Sequence, residues 1–210
     1  MNNRFVAIEG NIGSGKTTLA KKLSTHWNAR LVLEEFEDNP FLPRFYEDPR
    51  RHAFPLEMYF LAERFRQLSG ENIQPDLFSR MTVSDYYLEK SLIFARNNLD
   101  DTEFQLFQRL YDIMFRSLAK PDLIVFLHLP VEQLLRNIKK RGRSYEQSIT
   151  GEYLSNIQQI YMEHLATLRD FRILVLDYGN LDFAGSQDDF LLIEKVLNTD
   201  FPVGITRKSL

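Results

Sequence analysis

The chain is 210 residues long and 44% hydrophobic, enough apolar material for one large core. Its net charge of −3, with no long basic block, excludes a general electrostatic hold on nucleic acid or on an anionic membrane, so any polyanion it takes is small. Cysteine is absent, which excludes disulfides and thiolate metal sites, and the four histidines, at 26, 52, 128 and 164, show no metal-ligand spacing.

Met1 to Arg4 lead straight into the short apolar run Phe5-Val6-Ala7-Ile8, with no stretch apolar enough for a signal peptide or membrane span. The expectation is an unprocessed cytoplasmic protein. The run ends in a glycine-rich turn, and Lys16 to Trp27 then shows helical spacing through Leu19, Ala20 and Leu23. Leu31 to Leu33 reads as a second strand. A helix over about Phe54 to Leu68 is apolar on most sides, and Met81 to Val83 reads as a third strand. Phe104, Phe107, Leu110, Tyr111, Met114 and Leu118 mark a helical stripe stopped by Pro121. Leu123 to Leu129 and Ile173 to Leu176 complete the apolar runs, with the helical stretch Val131 to Lys140 between them. Continuous apolar strands alternating with helices imply an α/β protein, a five-stranded parallel sheet covered on both faces. No repeat or linker divides it, so residues 1–210 are expected to form one domain with a loosely ordered tail at 200–210.

Gly10-Asn11-Ile12-Gly13-Ser14-Gly15-Lys16-Thr17 matches the pattern G-x-x-x-x-G-K-[ST], and it lies where that pattern has meaning, after a strand and at the start of a helix. Glycines let backbone N–H groups point inward as an anion cradle, and the helix N-terminus adds partial positive charge. Lys16 is then placed to bridge the β- and γ-phosphates of ATP, and Thr17 to give its hydroxyl to Mg2+.

Ligands of open parallel sheets bind beyond the carboxyl ends of the strands, and the residues there are acidic: Glu34 and Glu35, Asp85, and Asp177. Such a carboxylate can take a proton from an attacking hydroxyl or hold Mg2+. The cluster Lys139-Lys140-Arg141-Gly142-Arg143 complements the negative end of a helix, while Arg141-Gly142-Arg143 also suits a mobile lid, over about 141–150, that closes on a phosphoryl group. Glu57 and Arg64, about 10 Å apart along one helix face, could line one polar pocket or form a plain ion pair.

With these residues in hand, the chain resembles the deoxyribonucleoside kinase family, which includes deoxycytidine, deoxyguanosine and bacterial deoxyadenosine kinases. The resemblance covers nearly all of residues 4–180. It is carried by Gly10 to Thr18, Glu34 with Asn39-Pro40, Tyr46-Glu47-Asp48-Pro49, Glu57-Met58-Tyr59 through Arg64, Arg141-Gly142-Arg143 with Glu146, and Leu176-Asp177. It implies a P-loop kinase that phosphorylates the 5′-hydroxyl of a purine deoxyribonucleoside, or of deoxycytidine, using ATP or another nucleoside triphosphate with Mg2+, and that forms a homodimer, for which the stripe from Phe104 to Met114 could serve.

Carried over by position, the resemblance makes Glu34 the general base, with Lys16, Arg141 and Arg143 acting on the phosphates. ATP would be held by Gly10, Asn11, Ile12, Gly13, Ser14, Gly15, Lys16, Thr17 and Thr18, with Asp177 opening the loop over adenine. Tyr46 and Glu146 would hold the 3′-hydroxyl, Glu57 and Arg64 the base, and Thr17 and Asp85 the metal ion. Phe36, Phe54, Tyr59 and Phe60 are candidates to pack on the base. Three positions depart from the family pattern. Ser84-Asp85-Tyr86-Tyr87 lacks the usual arginine after the acid, Glu57 replaces a base-pairing glutamine, and Asn137 stands where an arginine flanks the donor's base.

Two other functions suit the same fold. A nucleoside monophosphate kinase, like thymidylate kinase, needs arginines beside the second and third strand ends, where this chain has acids and phenols. A non-catalytic nucleotide-binding subunit has no need of Lys16, Thr17, Glu34 and the paired arginines together.

Overall fold

The computed structural model describes residues 4–35, 39–69, 81–179 and 181–210. Strand β1 (Phe5–Gly10) is buried along its whole length. Its alternating side chains feed two separate cores, Phe5 and Ala7 on one face of the sheet, Val6 and Ile8 on the other. A strand buried on both faces belongs in the middle of a parallel sheet, and β1 pairs in parallel with β3 (Thr82–Ser84) and with β4 (Leu123–His128). Strand β2 (Arg30–Val32) joins outside β3, and β5 (Arg172–Asp177) outside β4.

The sheet has six strands, in the order β2-β3-β1-β4-β5-β6, where five were expected. The sixth, β6 (Gly204–Ser209), lies in the stretch expected to be loose and pairs in parallel along all of β5. Its polar, exposed residues carry no core signature, because an edge strand is held by backbone pairing while Arg207 and Lys208 blunt the open side.

Helix α1 (Lys16–Trp27) follows the phosphate loop and buries Leu19, Ala20 and Leu23 against the sheet. A short helix, α2 (Leu42–Glu47), precedes α3 (Pro49–Leu68). The latter begins five residues before the expected start, since Pro49 suits the first helical position and Asp48 accepts from the Arg51 N–H. Helix α4 (Glu89–Asn98) follows β3 closely, and α5 (Asp101–Phe115) is opened by a capping box of Asp100 and Glu103. In α5 only part of the apolar stripe is covered: Phe107 and Tyr111 are buried, while the neighbouring Leu106 and Ile113 are 50% and 71% exposed.

After β4 come α6 (Val131–Arg141), a 3-10 turn at Ser144–Glu146, and α7 (Gly151–Thr167); α8 (Gln187–Leu197) follows β5. Among the described residues, no helix is long and apolar enough to cross a membrane.

Candidate active site

The phosphate loop is shaped by what presses on it. Gly13 and Gly15 have φ of 83° and 74°, which disfavours any side chain there. A Cβ on Gly13 would lie 2.8 Å from the Leu134 carbonyl oxygen, and one on Gly15 2.8 Å from the Phe183 ring. The Asn11 amide donates to the Leu154 carbonyl at 2.7 Å, its own oxygen accepts the Ile12 N–H, and the Tyr178 hydroxyl donates to the Ser14 carbonyl. The loop is thus fixed from α6, α7 and the segment after β5 before any ligand arrives. Inside it, the buried Ser14 Oγ has no hydrogen-bond partner, and Lys16 Nζ donates to the Asn11 carbonyl at 2.8 Å. Burial, together with the nearby Lys90, lowers the Lys16 ammonium to about 7.

A cleft open to solvent is lined by residues from Lys16 and Thr17 to Glu57. Glu34 stands at its middle, just past the end of β2. Its Oε1 accepts from Arg64 Nε and Nη2 at 2.8 and 2.7 Å, and its Oε2 accepts from Lys90. Although burial opposes ionisation, Lys90 and Arg64 outweigh it and hold the Glu34 carboxyl down at about 2. Arg64 is anchored further by Ser91 Oγ at 2.9 Å and by stacking over the Phe60 ring. Asp85 links the strand ends: its carboxylate accepts from Thr17 Oγ1 at 2.5 Å and from the Glu34 N–H at 2.8 Å. Burial, and then Glu34, raise its pKa.

No group of three or more His, Asp or Glu side chains among the described residues is gathered to hold a metal by itself. Thr17 and Asp85 present adjacent oxygen donors at the phosphate end. That partial set fits Mg2+, which keeps several waters and is commonly shared with substrate phosphates.

At the far end of the cleft Glu57 is 1% exposed. Its Oε1 accepts from Asn98 Nδ2 at 2.7 Å, while Oε2 has no partner. Burial raises its carboxyl to about 7 against the pull of Arg64. Glu57 and Arg64 do line one pocket, but Arg64 pairs with Glu34 rather than with Glu57. Tyr46 stacks on Tyr145, and Glu146 is held by two arginines: Arg141 Nη2 at 2.5 Å and Arg143 Nη1 at 3.3 Å. Gly142 between them has φ of 75° and ends α6. Of the aromatic residues expected at the base, Phe60 lines the cleft; Phe54 and Tyr59 do not, and Phe36 lies outside the described residues. Phe45, Phe94 and Tyr153 line it instead.

A second cleft opens on the other side of the phosphate loop, bordered by Thr18, Arg136, Asn137, Gly179 and Leu181 to Ala184. Gly13 and Arg141 border both clefts, so the two meet at the loop. Asn137 donates to the Gly13 carbonyl at 2.8 Å. Asp177 is not among the lining residues of either cleft: it accepts the Gly179 N–H and lies 3.4 Å from His128.

Asn98 and Glu9 had no signal in the sequence patterns. Glu9 is a buried carboxylate, accepting from the Tyr87 N–H and the Tyr161 hydroxyl, and burial raises it to about 6. A lysine just after Tyr86, Tyr87 and Leu88 in an apolar stretch was the one available hint that Lys90 is buried.

The model of the family described as "Deoxynucleoside kinase" matches residues 6–199. Deoxyguanosine kinase of Bacillus subtilis is 33% identical over 190 residues, covering 89% of this chain and 92% of that one. Deoxyadenosine kinase of Dictyostelium discoideum is 35% identical over 165 residues, covering 76% and 66%. Among solved structures, deoxyadenosine kinase from M. mycoides with bound dATP superposes with a TM-score of 0.77 at 25% identity, covering 93% of this chain and 100% of that one. A match over nearly the whole length, in sequence and in the arrangement of strands around the phosphate loop, places this chain in the deoxynucleoside kinase family.

Proposed function

We propose that this enzyme transfers the γ-phosphoryl group of ATP to the 5′-hydroxyl of a purine deoxyribonucleoside, with deoxycytidine as a further acceptor. The observation that carries this is the position of Glu34, in the cleft wall between the phosphate loop and the Glu57 pocket. The Glu34 carboxylate takes the 5′-hydroxyl proton as the O5′–Pγ bond forms and the bond from Pγ to the β-phosphate oxygen breaks, leaving that electron pair on ADP. Lys16 and the amides of Gly13 to Thr17 hold the phosphates, and Arg141 and Arg143 meet the spreading charge. Mg2+ held by Thr17 and Asp85 would neutralise phosphate charge during transfer.

Tyr46 and Glu146 face the sugar, and the second cleft takes the donor's base. A neutral acceptor is favoured over a monophosphate, because the second and third strand ends carry Glu34, Glu35, Asp85, Tyr86 and Tyr87, where a phosphate on the acceptor calls for arginine. The exposed Leu106 and Ile113 of α5 support a homodimer with this helix at its interface. We place the reaction in the cytoplasm. A panel of natural deoxynucleosides with ATP and Mg2+, read as monophosphate formed, tests the assignment; no turnover of any of them overturns it.

Glu57 makes the base preference depend on pH. Ionised, it offers only acceptors, which suit the N1–H and 2-amino donors of guanine; protonated, it offers a donor and an acceptor, which suit adenine. Its surroundings are Asn98 and Lys90 on α4, Arg64 on its own helix, and Glu34. The kcat/KM ratio for deoxyguanosine over deoxyadenosine is expected to rise about tenfold between pH 6 and 8, and Glu57→Gln to abolish that rise.

The same residue affects stability. A carboxyl raised from 4.5 to about 7 binds its proton more tightly in the folded chain. Stability therefore falls as pH rises from about 4.5 to 7, by up to roughly 3 kcal/mol. Denaturant titrations at pH 5 and 8 should show a larger loss in the parent than in the glutamine variant, which keeps the smaller contribution of Glu9.

A further inference from the structure

Glu34 is clamped by two cations. Oε1 accepts two bonds from Arg64 and Oε2 one from Lys90, so the acceptor position left on Oε2 lies beside an ammonium that makes the carboxylate a weak base. Freeing Glu34 as a base requires one of these cations to move. Arg64 cannot do so readily, since it makes two bonds to Glu34, donates to Ser91 and stacks on Phe60 while only 2% exposed. Lys90 is built differently. Its ammonium rests on a flexible four-carbon stem, bonds to Glu34 and touches the Phe94 ring at 5.5 Å, and it lines the same cleft as Lys16 and Thr17.

From this geometry we propose that Lys90 is a catalytic residue that leaves Glu34 for the γ-phosphate when the triphosphate binds. A triphosphate in the loop introduces several negative charges into a cleft of low dielectric, where they outweigh a single carboxylate for an ammonium within reach. The move does two things in one step. It makes Oε2 a stronger base for the 5′-hydroxyl proton, and it carries a positive charge to the equatorial oxygens of the phosphoryl group as their charge develops. Without donor, the ammonium keeps the base weak, so the site is assembled only once the triphosphate is bound.

This inference rests on the kinase function proposed above, and two measurements separate them. The first is a crystal structure of the parent enzyme with Mg2+ and the β,γ-imido analogue of ATP, which needs no turnover. Lys90 Nζ is expected within about 3.5 Å of a γ-phosphate oxygen and off the Glu34 carboxylate. An ammonium still bonded to Glu34 in that complex overturns the proposal, whichever nucleoside the enzyme accepts. The second is the kinetics of Lys90→Met and Lys90→Arg on the deoxynucleoside turned over fastest. Lys90→Met is expected to lose about 100-fold in kcat with the nucleoside KM within about threefold, and Lys90→Arg to recover most of that loss. A methionine variant with kcat within about threefold of the parent overturns the proposal. Absence of turnover by the parent itself would strike the kinase function, leaving the analogue complex to decide Lys90.

Discussion

Glu34→Gln is expected to phosphorylate its deoxynucleoside about 10³-fold more slowly than the parent, with the Kd for MgATP within about threefold. The amide keeps the shape and an acceptor oxygen but cannot take the 5′-hydroxyl proton. The phosphate loop, which holds its glycines and Lys16 through contacts from α6, α7 and the segment after β5, is untouched. The substitution also leaves Arg64 and Lys90 facing a neutral group, so a stability loss of about 3 kcal/mol at pH 7 is expected.

The pH dependence of that loss has a definite sign. A carboxyl lowered to about 2 stabilises the fold fully above about 4.5 and loses that contribution as pH falls through 2. The gap between parent and variant in urea denaturation should therefore persist down to about pH 4. Single-turnover rates separate chemistry from folding, and a kcat within about tenfold of the parent would remove Glu34 from the role of base.

Lys16→Ala is the second substitution with a large expected effect: a fall in kcat of at least about 100-fold, with weaker MgATP binding. Removing a charge that faces solvent would leave the fold intact, which is what the sequence leads one to expect of Lys16. The structure changes the reason. The side chain is half-buried, bonded to the carbonyl of its own loop, and its ammonium is lowered to about 7 by burial. An ammonium with a lowered pKa binds its proton less tightly in the folded chain than in the unfolded one. The position therefore opposes folding below pH 7, and this opposition fades as pH rises toward 10.5. Lys16→Ala should accordingly melt at the parent's temperature or above it at pH 6. A variant unfolded under those conditions would show that the lysine supports the loop rather than the phosphates.

The phosphate loop was legible because every part of its design is local. The glycines at 13 and 15, the apolar strand before them and the helix after them lie within one short stretch. The acids at strand ends were legible for a related reason: a parallel sheet brings all its carboxyl ends to one edge, so the end of each apolar run marks a place near the site. Glu34 and Asp85 come together that way, joined by a 2.8 Å hydrogen bond across 51 residues of chain. Asp177, chosen by the same rule, ends up outside the lining of both clefts, because its carboxylate turns to the Gly179 N–H and His128 while Tyr178 and Gly179 just beyond it border the second cleft.

By itself, then, the sequence determined a strand-loop-helix phosphate cradle within a parallel α/β sheet, with carboxylates at the strand ends. Backbone freedom at glycine and the period of apolar residues act over a few positions and need no distant partner. Only the tertiary structure decided which charges meet. Arg64 and Lys90 reach Glu34 from 30 and 56 residues away, Asn98 reaches Glu57 from 41, and β6 completes the sheet through backbone pairing alone. Ion pairs and edge pairing leave no periodic trace along the chain, because their strength comes from proximity and exclusion of water, which exist only once the helices have packed.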